Sequence, residues 1–274
     1  MTATGDLPVF HLDGSTYVAT SLARGPWDPR ACHGGAPAAL VAAAVDATPS
    51  LEPMQGVRLT YDLVRPVPVG VPLHLDTEVV REGRRIQVVD VRLATAADDV
   101  ELVRCRALRI RTTALALPED RPLPGTGVEV APEDLPRVDG PLGPDRDGFW
   151  TAVDVRVVGG ELGDAGPGEG WFRLVAPLTD GGPASELVTT PLVRVAATGD
   201  FGNGIGAPLA MGGGHRYINP DLTIDLHRLP MDEWVSLAAR SVAEPHGIGL
   251  TTGVLGDRRG TIGSSLQSLF IEAG

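Results

Sequence analysis

The heptapeptide LTYDLVR at residues 59–65 returns as LTIDLHR at residues 222–228, identical at five of seven positions. An internal repeat constrains a fold more than any single motif, because each copy must form the same unit and the units must share a core. The residues downstream of each copy support a true duplication. After Arg65 come a Pro-rich turn (PVPVG), alternating VPLHLDTEVV, a turn at REGRR, alternating IQVVDVRLA, a turn at TAADD and a last run, VELVRCRALRI. After Arg228 come LPMDE, WVSLAARSVA, a turn at EPHG, IGLTTGVLG, a turn at DRRG and TIGSSLQSLFI. Period-2 alternation between Gly, Pro and Asp clusters is the pattern of half-buried antiparallel strands. Each half thus reads as a four-stranded meander built on its copy of the motif.

Ahead of the first motif, VFHLDGSTYVAT reads as one strand, SLARGPWDPRAC as a loop, and residues 36–47 as a helix that is apolar nearly all round and therefore buried on every side. The second half opens with FWTAVDVRVV and WFRLVAP as strands. A buried helix is expected there from about Leu187 to Thr198, followed by a loop at GDFGNGIG. A curved antiparallel sheet wrapped round one apolar helix buries such a helix completely. The division is then residues 1–117, a linker at 118–147 marked by its prolines, and residues 148–274.

With 274 residues and 43% apolar content, the chain is long enough for two joined cores. No run of 18 apolar residues occurs and the N-terminus lacks the basic-then-apolar pattern of a signal peptide, so a cytoplasmic protein without membrane attachment is expected. Two cysteines, Cys32 and Cys105, give no disulfide framework and are expected to be reduced and buried. A net charge of −12 argues against nucleic acid as a partner, since that affinity comes from neutralised phosphates. All 23 basic residues are arginine, which excludes Schiff-base and Walker-type lysines. GxSxG, HExxH and CxxC are absent, so neither a serine-hydrolase elbow nor a metal site is expected.

WDP followed by HGGAPAAL, the segment INPDLTIDLHR, EWVSL and the closing GSSLQSL resemble the acyl-CoA thioesterase II-like family over most of the chain, most weakly in the linker and residues 149–186. The resemblance implies an α+β double hotdog: two tandem units, each a curved antiparallel sheet around one buried helix. It also implies hydrolysis of an acyl-CoA thioester without a cofactor, by a water held between an aspartate, a hydroxyl residue and a glutamine of the C-terminal unit. Matched residue by residue, these fall on Asp200 in ATGD, Asn219 in YINPDL and Gln267 in SSLQSL, with asparagine standing where the family has a hydroxyl.

The trio suits that chemistry, since a carboxylate accepts a proton from water while side-chain amides both donate and accept. Other readings stand beside it. Asp200 beside Gly199 and Asn219 before Pro220 are also turn residues, and Gln267 also fits an outward-facing strand position. Subtracting the repeat offsets places Pro37, Gly56 and Ala107 opposite the trio, none able to do acid or base work, so one site per chain is expected. His33, Gly34 and Gly35 are the first half's expected contribution to substrate binding. Glycines at a helix mouth leave N–H groups open to a thioester oxygen, or else serve close packing. A catalytic pair of Cys32 with His33 is disfavoured because neighbouring residues in extended chain point apart. DFGNGIGAPLAMGGGHR is expected to be a mobile segment gating an acyl tunnel. A hotdog hydratase or dehydratase, which needs His paired with Asp or Glu, and a non-catalytic acyl-binding protein are the alternatives. Exposed sheet edges make a homodimer the default assembly.

Overall fold

A computed structural model describes residues 7–118, 125, 128–139, 147–180 and 187–274. The first half contains strands β1 (Phe10–Asp13) and β2 (Thr16–Ala19), helix α1 (Gly35–Ala47), and strands β3 (Met54–Leu63), β4 (Pro72–Arg81), β5 (Ile86–Thr95) and β6 (Glu101–Arg111). The second contains helix α2 (Phe149–Ala152), strands β7 (Val153–Gly159) and β8 (Gly168–Leu174), helices α3 (Pro191–Gly199) and α4 (Gly202–Ile205), and strands β9 (His215–Ile218), β10 (Asp221–Leu226), β11 (Val235–Ala243), β12 (Ile248–Asp257) and β13 (Gly260–Ala273). The strands form one continuous antiparallel sheet in the order β1-β2-β4-β5-β6-β3-β10-β13-β12-β11-β8-β7, with β9 attached to β13. Among the described residues, no helix is long and apolar enough to cross a membrane.

The motif strands are not the first strands of meanders. β3 and β10 each cross their unit to pair with its last strand, β6 or β13, and then pair with each other. Thr60 lies opposite Thr223, with Leu59 opposite Ile224 and Tyr61 opposite Leu222, so the seam has the register of a self-paired strand. The motif arginines serve the hairpins beyond them. Arg228 donates to Asp257 (2.7 Å) and to the Gly260 carbonyl (3.0 Å), and Arg65 donates to the Glu101 carbonyl (2.9 Å).

Helix α1 is buried from Gly35 to Val45, as its uniformly apolar sequence requires, and Pro37 is tolerated because it lies in the first turn, where its missing N–H has no intrahelical partner. Helix α3 begins at Pro191, later than the expected Leu187. The Thr190 hydroxyl accepts from Val193 N–H as N-cap, and Pro191 at the first position presets the helical backbone. The two helices run antiparallel against each other on the inner face of the sheet: Gly35 meets the Ala197 carbonyl at one end, and the Thr190 hydroxyl donates to Asp46 (2.5 Å) at the other.

Other expectations need correction. VFHLDGSTYVAT is a hairpin rather than one strand, turning at Gly14 with φ +60°. The segment 201–216 contains α4 and the start of β9, and it is tied to residues 163–166 by bonds from Gly163 N–H to the Gly204 carbonyl and from Gly166 N–H to the Ala207 carbonyl. The end strands of the sheet are met in part by the chain itself: residues 177–180 bond β1, and Val138 N–H donates to the Val155 carbonyl on β7. Of the Pro-rich stretch 118–147, residues 119–124, 126–127 and 140–146 lie outside the described residues, as do the N-terminal residues 1–6 and residues 181–186.

Candidate active site

Asp200 is the C-cap of α3, and the helix is seated by Gly199, where a Cβ would come within 3.0 Å of Ile224 on β10. A carboxylate at the negative end of a helix is disfavoured, yet Asp200 is only 4% exposed. Three neighbours answer for it. Asn219 Nδ2 donates to Asp200 Oδ1 (2.8 Å), and Gln267 Nε2 donates to the same oxygen (3.2 Å). Asp200 Oδ2 faces the mouth of α1, the positive end of that helix, where a Cβ on Gly34 would lie only 2.7 Å away. Gln267 reaches this place because it lies on the inner face of β13, opposite Thr251 of β12, and Asn219 because it opens the two-residue link between β9 and β10.

The expected trio therefore comes together, but its amides are turned towards the carboxylate. Both hydrogens of Asn219 Nδ2 are used, on Asp200 Oδ1 and on the Asp221 carbonyl (3.2 Å). The oxygen left for chemistry is Asp200 Oδ2. His33 approaches it with Nδ1 at 3.0 Å, and the same Nδ1 lies 3.1 Å from Gly35 N–H. One nitrogen cannot accept from Gly35 and donate to Asp200 together, so the two contacts are alternatives set by its protonation. The imidazole packs against both Phe201 and Phe149, with ring centroids at 4.6 and 5.3 Å. Gly35 N–H is engaged when Nδ1 accepts, while Gly34 N–H has no partner among the described residues. Gly35 also fulfils the packing reading, since a Cβ there would meet the Ala197 carbonyl and Phe149 at 2.8 Å.

Asp200, His33, Gly34 and Asn219 open on a cavity of about 490 Å³ whose wall is largely apolar, with Trp27, Trp150, Phe201, Leu63, Met211 and Tyr217 contributing. That size and lining suit a small-molecule ligand. Cys32 also borders it, but burial pushes its thiol up to about 12, so it is neutral near pH 7 and not a nucleophile. Among the described residues, the one group with metal-ligand spacing, His74, Asp76 and Asp99, lies elsewhere with the Arg92 guanidinium on both carboxylates.

One contributor and one contact escaped sequence reasoning. Asn203, in the first turn of α4, donates from Nδ2 to Asn219 Oδ1 (2.8 Å) and from its backbone N–H to Gln267 Oε1 (3.0 Å). Its only signal was a place three residues after Asp200, which faces the same way once the chain turns helically. The contact of His33 with Asp200 spans the two halves and leaves no trace in sequence spacing.

The opposite ends of the two helices form the related place in the first half, and it is filled. Arg109 donates to the Thr48 carbonyl (2.7 Å) and to Gln87 Oε1 (2.6 Å), and the Gln87 amide donates to the Pro49 carbonyl (2.8 Å). Burial holds the Asp46 carboxyl above its usual range, opposed by the Thr190 hydroxyl and the Arg109 charge. The register supports the expected match of Gln267 with Ala107, since Thr223 pairs Leu266 as Thr60 pairs Arg106. The match of Asp200 with Pro37 is wrong. Residues 200–220 separate α3 from β10 whereas only 48–53 separate α1 from β3, so one offset cannot serve both elements, and the residue in the place of Asp200 is Thr48, the C-cap of α1.

Two helices laid antiparallel on one continuous sheet, with a carboxylate opening on a cavity where the mouth of one meets the end of the other, define a double hotdog protein. The sequence matches the model of the acyl-CoA thioesterase N-terminal domain over residues 23–112 and that of the C-terminal domain over residues 132–271. The chain belongs to the acyl-CoA thioesterase family and is a thioesterase enzyme. Its fold is similar to that of a conserved hot dog protein of unknown function from Alicyclobacillus acidocaldarius (TM-score 0.68, 16% identity, 100% of this chain and 99% of that one). It is also similar to an acyl-CoA thioesterase II from Mycobacterium marinum (TM-score 0.62, 16% identity, 96% and 95% covered) and to a tesB protein from Mycobacterium avium subsp. paratuberculosis (TM-score 0.64, 15% identity, 96% and 96% covered). No curated protein matches the sequence.

Proposed function

We propose that the chain hydrolyses the thioester of an acyl-CoA to a free acid and CoA, with Asp200 as the general base. The observation that carries this reading is the asymmetry of the carboxylate: Oδ1 is held by two amides, and Oδ2 is turned to the cavity between His33 and Gly34. A water at Oδ2 gives one proton to Asp200 as its oxygen bonds to the thioester carbon. The negative charge that develops on the carbonyl oxygen is met by Gly34 N–H and the N-terminus of α1. Collapse of the adduct breaks the carbon–sulfur bond, and the proton returns from Asp200 to the departing thiolate or to solvent. Asn219 and Gln267 act by holding the carboxylate in place through Oδ1.

A panel of acyl-CoAs from short to long chain, assayed for free thiol, tests the reading. Release with saturation on at least one of them is expected; binding of acyl-CoA with no release would leave an acyl-binding protein. The His33–Asp200 contact favours a second reading, hydration of an enoyl thioester, which would consume the enoyl absorbance without releasing thiol. The free cysteines go with a cytoplasmic setting. A homodimer would draw on the outer face of β12 and β13, where Leu250, Val254, Leu266 and Phe270 are exposed, and light scattering reads its mass directly.

A further inference from the structure

We infer that Asn203 is a positioning residue that sets the direction of both amides facing Asp200. The inference rests on the thioesterase reading only for its effect on rate; the geometry stands apart from it. A side-chain amide can turn by half a rotation and present oxygen instead of nitrogen, and the two orientations differ only in what surrounds them. A carboxylate accepts and never donates when ionised, so Asn219 must turn its nitrogen to Asp200 Oδ1 and its oxygen away. Asn203 Nδ2 meets that oxygen at 2.8 Å. Gln267 repeats the arrangement, with nitrogen to Asp200 and oxygen to the backbone N–H of Asn203 at 3.0 Å. One residue therefore locks two amides, one through its side chain and one through its main chain.

The backbone lock depends on close approach, because a Cβ on Gly202 would lie 2.6 Å from Gln267 Oε1. The side-chain lock answers a need that a hydroxyl at residue 219 would not have. A hydroxyl donates and accepts at one atom and rotates to suit its neighbours, whereas an amide presents the wrong end when turned. Turned, Asn219 would set its oxygen against Asp200 Oδ1 and repel the ionised carboxylate. Asn203 and Asn219 thus work as a pair.

A double-mutant cycle tests the pair. Asn203→Ala removes the side chain but leaves its backbone N–H, and it is compared with the wild type in chains carrying either Asn219 or Asn219→Thr, assaying acyl-CoA hydrolysis by thiol release. With Asn219 present, kcat falls roughly tenfold to hundredfold, the size of a hydrogen bond whose loss leaves a partner unsatisfied, and KM changes little. With Asn219→Thr, the same substitution lowers kcat by less than about threefold, because the hydroxyl needs no lock. Equal losses in both chains, or a rise in KM alone, would overturn the inference and make Asn203 part of the cavity wall. A parallel measurement is independent of turnover. Exchange of the Asn219 side-chain NH₂ with solvent, followed by ¹⁵N NMR, is slow in the wild type and becomes fast in Asn203→Ala and in Asn203→Ser; slow exchange in all three overturns the inference. If the wild type releases no thiol from any acyl-CoA, the thioesterase reading fails while the exchange measurement still decides the role of Asn203.

Discussion

Thr60 and Thr223, the second residues of the two heptapeptides, face each other at the seam of the sheet, and the pairs on either side of them are related by exchanging the two halves. An approximate twofold axis runs through this pair. The repeat is thus the place where the two units recognise each other, and β3 alone would present an open strand with its hydrogen-bonding groups unpaired.

Residues 1–117 expressed alone should therefore aggregate or pair through β3. Loss of the second half also uncovers the side of α1 that lies on α3, and that helix has no polar face to offer water. Size-exclusion chromatography with light scattering is the measurement, and a soluble monomer would contradict a fused pseudo-dimer.

Asp200→Asn keeps the size and much of the hydrogen bonding of the side chain but removes the proton acceptor. Turnover should fall by about 100- to 10,000-fold, the usual contribution of a general base, with acyl-CoA binding retained. A variant with full turnover and an unchanged melting temperature would take Asp200 out of the mechanism.

Asp257 is fully buried. Burial alone would raise its carboxyl, but the hydrogen bonds from Arg228 and from the backbone N–H groups of Arg259 and Met231 outweigh it and hold the group below the usual range. A depressed carboxyl contributes stability that is present above its unfolded value and is lost as pH falls through the folded one. Asp257→Asn should cost about 3 kcal/mol near neutral pH, the lower end for breaking a buried ion pair, because Arg228 keeps some contact with water. The difference between wild type and variant should shrink on acidification. Denaturant titrations at pH 7 and pH 3 would show it, and a gap that is constant with pH would refute the ionic contribution.

Cys32 should resist alkylation. With its thiol pushed up to about 12 by burial, on the order of one molecule in 10,000 is thiolate at pH 8, against roughly a quarter for an ordinary thiol. Iodoacetamide with mass spectrometry should find Cys32 unmodified until the protein is unfolded, and Cys32→Ser should leave turnover within a few-fold of the wild type. Rapid native-state labelling would show an ionised thiol at the cavity.

Much of this architecture was legible because its determinants are local. β4 to β6 and β11 to β13 announce themselves by alternation between turn clusters, and α1 by an apolar sequence with no polar side. Two errors concern signals that were present. Asp13-Gly14 marks the turn of the first hairpin, and Thr190-Pro191 marks the start of α3. The placing of β3 beside β10 was not legible, because a period-2 pattern tells which face is buried and not which strand lies alongside. The site divides in the same way. Asp200, Asn219 and Gln267 came from resemblance to a family, whereas the direction of their amides and the approach of His33 depend on two helices meeting end to mouth.

The filled place formed by Arg109, Gln87, Thr48 and Asp46 has a consequence for how such a molecule evolves. In an assembly of two identical chains, any substitution that closes one site closes its mate, so neither can be given up. Joining the copies in tandem releases that bond: selection can turn one end of the helix pair into a clamp while the other keeps its carboxylate. The symmetry then stays closest where it holds the halves together, at the seam beside Thr60 and Thr223.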